Sequence, residues 1–190
     1  YASTMTVMYN IMNIEPADLP RDIAGLMLSG IISDTLAFRS PTTTSEDQEL
    51  GEKLAQALSI SIPDYSTKMF NAKSNISDFS AAELIRMDSK IYEVKGKQTR
   101  VSVLETTNPQ MVLERYDEIV NTYSTIMQED NVQQVLLFAI DILNQNATVL
   151  VPDNETKELI ETSFDVQVEG TTAILDGVVS RKKQILPNLG

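Results

Sequence analysis

The sequence predicts two parts: a helix-rich stretch over residues 1–73 and, after it, an α/β domain over residues 74–190 whose mixed sheet is flanked by helices. Three observations carry this expectation. Before residue 73 the apolar residues recur at helical spacing, as in "IAGLMLSGII" and "ELGEKLAQALSI". The stretch "KSNISDFS" at 73–80 is a polar, cap-rich break. Beyond it, runs of β-type residues alternate with helical patterns, the order in which α/β sheets are built.

Each element has its own justification. Residues 5–12 fit an opening helix or a strand. In "PRDIAGLMLSGIISDT", Pro20 stands where a helix can begin, and Ile23, Leu26, Met27, Gly30 and Ile31 keep i, i+3, i+4 spacing, so a buried helix is predicted. In "TTTSEDQELGEKLAQALSI", Ser45 is the expected cap, and the acidic residues that follow offset the helix dipole. Leu50, Leu54 and Leu58 then share one face. A further helix is expected around 64–72. In the second part "IYEV" and "TRVSVLET" read as strands joined by the turn Lys95-Gly96-Lys97. A long amphipathic helix is predicted over 109–127. The unbroken apolar run "QVLLFAID" suits a central strand covered on both faces, with "ATVLV" as a second strand. "NETKELIETSF" reads as a short helix capped by Asn154, and "TTAILDGVV" as the last strand.

Composition narrows the chemistry. The formal net charge of -12 argues against a nucleic-acid or anionic-membrane surface, because such binding draws on a field of Lys and Arg. No apolar run is long enough to predict a membrane span. The chain has no cysteine, which excludes disulfides, thiolate nucleophiles and zinc ribbons and makes a reducing cytoplasm the expected location. It also has no histidine, so the commonest metal ligand and general base is missing. The opening "YASTMTVMYN" lacks the order of a signal peptide and begins as though mid-domain, so a piece of a longer protein is expected.

Against this acidic background the triplet Arg181-Lys182-Lys183 stands out. One reading is a solvated edge that discourages sheet pairing. The other is a local site for a compact anion, since Arg offers a planar fork of donors and Lys a point charge. Asp34, at the end of an apolar helix, has two readings as well. It ends the helix and bonds Thr35 or Ser40, or it is a ligand for Mn2+ or Mg2+, which needs partners from elsewhere. Lys90, by residue type alone, is a surface lysine.

Three segments together resemble a known family. "AGLMLSGIISDTLAFRSPT" resembles the part of family II inorganic pyrophosphatases where Ser-Asp-Thr-Leu and then Ser-Pro-Thr close the metal-ligand series. "VVSRKKQILP" resembles that family's C-terminal Ser-Arg-Lys-Lys-Gln motif, and "ELIRMDSKIYEV" between them fits its pattern. The resemblance covers essentially the whole chain and implies a place in the DHH phosphoesterase superfamily. It implies that residues 1–73 are the C-terminal part of a DHH metal-binding domain and that 74–190 are the substrate-binding domain. Asp34 would then be a ligand of a Mn2+ centre, with Mg2+ or Co2+ as substitutes. Lys90, Arg181 and Lys182 would hold the phosphates of pyrophosphate, with Lys183 secondary, while metals activate the attacking water. The family's other ligands, including the Asp-His-His motif, precede this segment, so the chain alone is expected to be inactive and the parent to be a cytoplasmic enzyme, as a homodimer. An exopolyphosphatase-like hydrolase and a non-catalytic anion-binding module are the alternatives.

Overall fold

Residues Tyr1–Ala72 and Lys73–Gly190 form two units, and the computed structural model describes all 190 residues. The first unit is helical: α1 (Thr4–Met12), a 3-10 turn (Pro16–Asp18), α2 (Arg21–Thr35), α3 (Ser45–Leu58) and α4 (Ile62–Lys73), whose last residue passes the unit boundary. At the first segment the structure selects helix over strand. Ser3 caps α1, its Oγ accepting from Met5 N at 3.2 Å.

Helix α2 begins after Pro20 as predicted, but the buried stripe is Ala24, Met27, Leu28, Ile31, Ile32 and Thr35. Ile23 and Leu26 face outward, Leu26 being 67% exposed. The helix is apolar nearly all round, so the pattern could not say which face would be covered. Helix α3 buries Leu50, Leu54 and Leu58 as expected. Its cap is Thr44 rather than Ser45, because the reciprocal capping box needs an acid three residues on, and Asp47 occupies that place for Thr44.

The second unit carries a sheet of five strands in the order β1-β2-β3-β4-β5. These are β1 (Ser89–Val94), β2 (Lys97–Thr106), β3 (Gln134–Asp141), β4 (Asn146–Leu150) and β5 (Thr172–Asp176). Only β2 and β3 run parallel. The predicted mixed sheet is thus observed. Lys95 and Gly96, both at positive φ, make the two-residue hairpin turn between β1 and β2 that matches strand twist.

The parallel pair needs a crossover, and α6 (Gln110–Leu113) with α7 (Tyr116–Asp130) supplies it. The single long helix predicted there is broken near Arg115. Helix α5 (Ala81–Met87), which the pattern did not predict, has its own capping box between Ser80 and Glu83. Helix α8 (Asn154–Phe164) is capped by Asp153, one residue before the predicted Asn154, through Asp153 Oδ1 accepting from Thr156 N at 2.8 Å.

Strand β3 is buried throughout and its residues alternate between two cores. Val135, Leu137 and Ala139 pack with Leu84, Ile85, Ile119 and Ile126 of α5 and α7. Leu136, Phe138 and Ile140 pack on the other face with Ile160 of α8 and with Ile185 and Leu189 near the C-terminus. The sheet is therefore covered on both sides, as the unbroken apolar run demands.

Candidate anion site

The C-terminal motif is built by a backbone turn, a clamp and two anchors. Strand β5 ends at Asp176, earlier than the predicted Val179, because Gly177 at φ 73 turns the chain. Gln184 then spends its amide on the segment it follows. Its Oε1 accepts from Val179 N at 2.9 Å and Ser180 N at 3.1 Å, while Nε2 donates to Gly177 O at 2.7 Å. Residues Arg181–Ile185 form a π-helical turn leading into α9 (Leu186–Leu189). Ile185 and Leu189 are fully buried in the α8-side core. The turn is pinned from below, and Lys182 and Lys183 remain exposed.

Arg181 is held differently. Its Nη1 donates to Asp88 O at 2.9 Å, and the Asp88 carboxylate lies 2.9 Å from the same nitrogen. The guanidinium side chain is 17% exposed. Asp88 leads directly into β1, where Lys90 is two residues along. Lys90 sits opposite Val101 in the β1–β2 register, and cross-strand partners point to the same face. Val101 belongs to the core that also holds Ile185 and Leu189. Lys90 and Arg181 thus lie on one side of the sheet, and two residues of strand span about 7 Å, within the reach of an extended lysine.

Lys90 is exposed and unpaired. Arg86, in the same stretch of sequence, is committed elsewhere: it bonds Glu129 and Asp130 of α7, and Arg100 joins Asp130 at 2.9 Å. The surroundings therefore separate a free cation from structural ones of equal charge.

Asp34 lies in the first unit, exposed in the last turn of α2. It bonds neither Thr35 nor Ser40, as one sequence reading expected. Its Oδ2 accepts from Ser3 Oγ at 2.8 Å. Thr35 Oγ1 instead donates to Ile31 O at 2.6 Å and accepts from Phe38 N at 3.1 Å. Directly after Asp34 and Thr35, Leu36, Ala37 and Phe38 all take positive φ, a conformation costing about 1–2 kcal/mol per non-glycine residue. Ala37 N donating to Ile32 O and Ser40 N to Thr35 O, both at 2.8 Å, hold this turn in place.

Asp88, Gln184 and Ser3 are the residues that sequence reasoning missed. Asp88 and Gln184 stand inside the quoted motifs, yet nothing in one dimension pairs Asp88 with a residue 93 positions away. Gln184, being uncharged, gave no signal.

A DHHA2 domain model matches residues 67–190. Proteins of Streptococcus thermophilus and Lactobacillus acidophilus, assigned as manganese-dependent inorganic pyrophosphatases, are 37% identical over 98% of the chain. The chain spans 60% of the length of these curated relatives. The crystal structure of a Methanococcus jannaschii protein assigned as a family II inorganic pyrophosphatase superposes with a TM-score of 0.55 at 32% identity, covering 99% of this chain and 62% of that one. These likenesses bear out the resemblance read from the motifs, and the match across the sheet and its flanking helices shows that the chain belongs to the DHHA2 domain family.

Proposed function

We propose that this chain is the substrate-binding part of a manganese-dependent inorganic pyrophosphatase, with Arg181, Lys182 and Lys90 holding the phosphates and Asp34 serving as one metal ligand. The relatives' names supply the substrate and the metal. The observation that carries the reading is the bond from Arg181 to Asp88, across 93 positions, which puts a guanidinium beside the strand of an unpaired lysine. Cations on an acidic protein repel one another, and a compact polyanion offsets that cost. In this arrangement the Arg181 fork orients one phosphate, and the lysines neutralise charge on its oxygens as the bridging P–O bond breaks.

The metal needs more than this chain offers. Asp34 is a single carboxylate with one oxygen accepting from Ser3, and no group of three or more Asp, Glu, His or Cys side chains forms here. These residues do not make up a manganese centre. On this reading the remaining ligands lie in the portion of the relatives' length that the chain does not span. On the same reading the complete protein would act in the cytoplasm, as a homodimer, without nucleic acid. No helix of this chain is long and apolar enough to cross a membrane.

The test is phosphate release from pyrophosphate with Mn2+. The complete gene product should turn over, and the 190-residue chain alone should not. In the complete protein Arg181→Lys, which keeps the charge but loses the fork, should lower kcat/KM about a hundredfold, whereas Lys183→Ala should stay within about threefold. Vigorous release by the chain alone would refute this division of labour, and preference for long polyphosphate would favour the exopolyphosphatase reading.

A further inference from the structure

We infer that Asp88 is a positioning residue that selects which edge of the Arg181 guanidinium meets the anion; the inference rests on the phosphate-binding reading above. A guanidinium carries five N–H groups, two on each Nη and one on Nε. Nη1 of Arg181 is engaged twice by one residue, donating to the Asp88 carbonyl and facing the Asp88 carboxylate, both at 2.9 Å. Nε and Nη2 have no partner. Their three N–H groups include the two parallel ones of the Nε–Nη2 edge, which match two phosphate oxygens bidentately.

The Asp88 backbone is itself fixed, because its carbonyl also accepts from Val103 N of β2 at 2.9 Å. A rigid strand end thus orients a flexible side chain before any ligand arrives. Orienting it beforehand lowers the entropy that binding would otherwise cost. The contact also differs from the other arginine pairs of this unit, among them Arg100, whose Nε lies 2.9 Å from the Asp130 carboxylate. Arg86 presents Nε and Nη2 to Asp130 and Glu129, and Arg115 presents both to Glu118, so each has its side-on edge occupied. Arg115 and Arg100 also donate through Nη1, to Ile76 O and Phe79 O and to Ser89 Oγ, but of the four arginines of this unit Arg181 is the one that leaves both Nε and Nη2 without a partner. Asp88 therefore sets direction rather than merely balancing charge.

The test measures binding of inorganic pyrophosphate to the 190-residue chain by titration calorimetry, with folding checked by circular dichroism. Asp88→Ala should weaken binding about tenfold, the scale of one charge-assisted hydrogen bond, although it removes a negative charge. Simple electrostatics predicts the opposite sign. In an Arg181→Lys background, where there is no fork to aim, Asp88→Ala should have no weakening effect. Asp88→Asn, which keeps an acceptor, should lie between, and it serves as the readout if Asp88→Ala does not fold. Binding that is unchanged or tighter in the folded Asp88 variants, or equal weakening in both backgrounds, overturns the inference while leaving Arg181 as a phosphate ligand. If Arg181→Ala itself leaves pyrophosphate binding intact, the phosphate-binding reading falls and this inference with it.

Discussion

Gln184 and Asp47 show how single side chains fix backbone that the fold leaves unpaired. Removing the Gln184 amide frees the two N–H groups and one carbonyl that it now bonds in residues 177–180. Gln184→Ala should cost about 1–3 kcal/mol in urea unfolding and weaken pyrophosphate binding, because the turn carrying Arg181 and Lys182 is no longer clamped. Asp47 is fully buried in the first unit with no cation beside it. Burial opposes its ionisation, but bonds from Ala2 N, the Thr6 hydroxyl and the Thr44 N–H and hydroxyl outweigh that and hold its carboxyl well below the usual range. Since the folded pKa is depressed, the stabilisation is fully present above the unfolded value of about 4 and is lost as pH falls through the folded one. Acid unfolding of the chain should therefore be shallower in Asp47→Asn, which should also be less stable at pH 7. An unchanged acid limb would argue against this assignment.

At the scale of elements, the helices of the first unit give opposite expectations for one kind of substitution. A Cβ at Gly25 in α2 meets nothing within 4 Å, so Gly25→Ala should gain about 0.5–1 kcal/mol from helix propensity alone. A Cβ at Gly51 in α3 would stand 2.6 Å from Phe38 Cζ. The Phe38 ring, which lies inside van der Waals range of that position through Cζ and Cε1, must shift to admit a methyl group. Gly51→Ala should therefore destabilise by about 1–3 kcal/mol, and thermal unfolding of both variants checks the pair. The sequence shows two glycines in helices of similar pattern. Contact with Phe38, thirteen residues earlier, is what separates them. Caps behaved in the same way: Thr44 and Asp153 were each one residue from the predicted caps, because neighbouring Ser, Thr, Asn and Asp are equivalent until a particular N–H is assigned.

At the scale of the whole molecule the two units differ in how completely they bury their apolar surface. The sheet of the second unit is packed on both faces. In the first unit Val7, Met8, Ile11, Ile23 and Leu26 remain exposed on α1 and α2. Hydrogen exchange should therefore find its slowest amides in β2, β3 and β4 and much faster exchange in α1, since local opening follows buried apolar contact. Uniform protection across both units would contradict this. By itself, the sequence determined the kinds of elements, the mixed sheet and the family resemblance, because hydrophobic period, turn residues and linear motifs are local properties that can be read in one dimension. Only the tertiary structure decided which face of α2 is covered, that Lys90 and Arg181 share a side of the sheet, and that Asp88 holds the guanidinium by Nη1. These depend on pairings between residues far apart in the chain, and a charge or an apolar side chain carries no local sign of the partner that folding will bring to it.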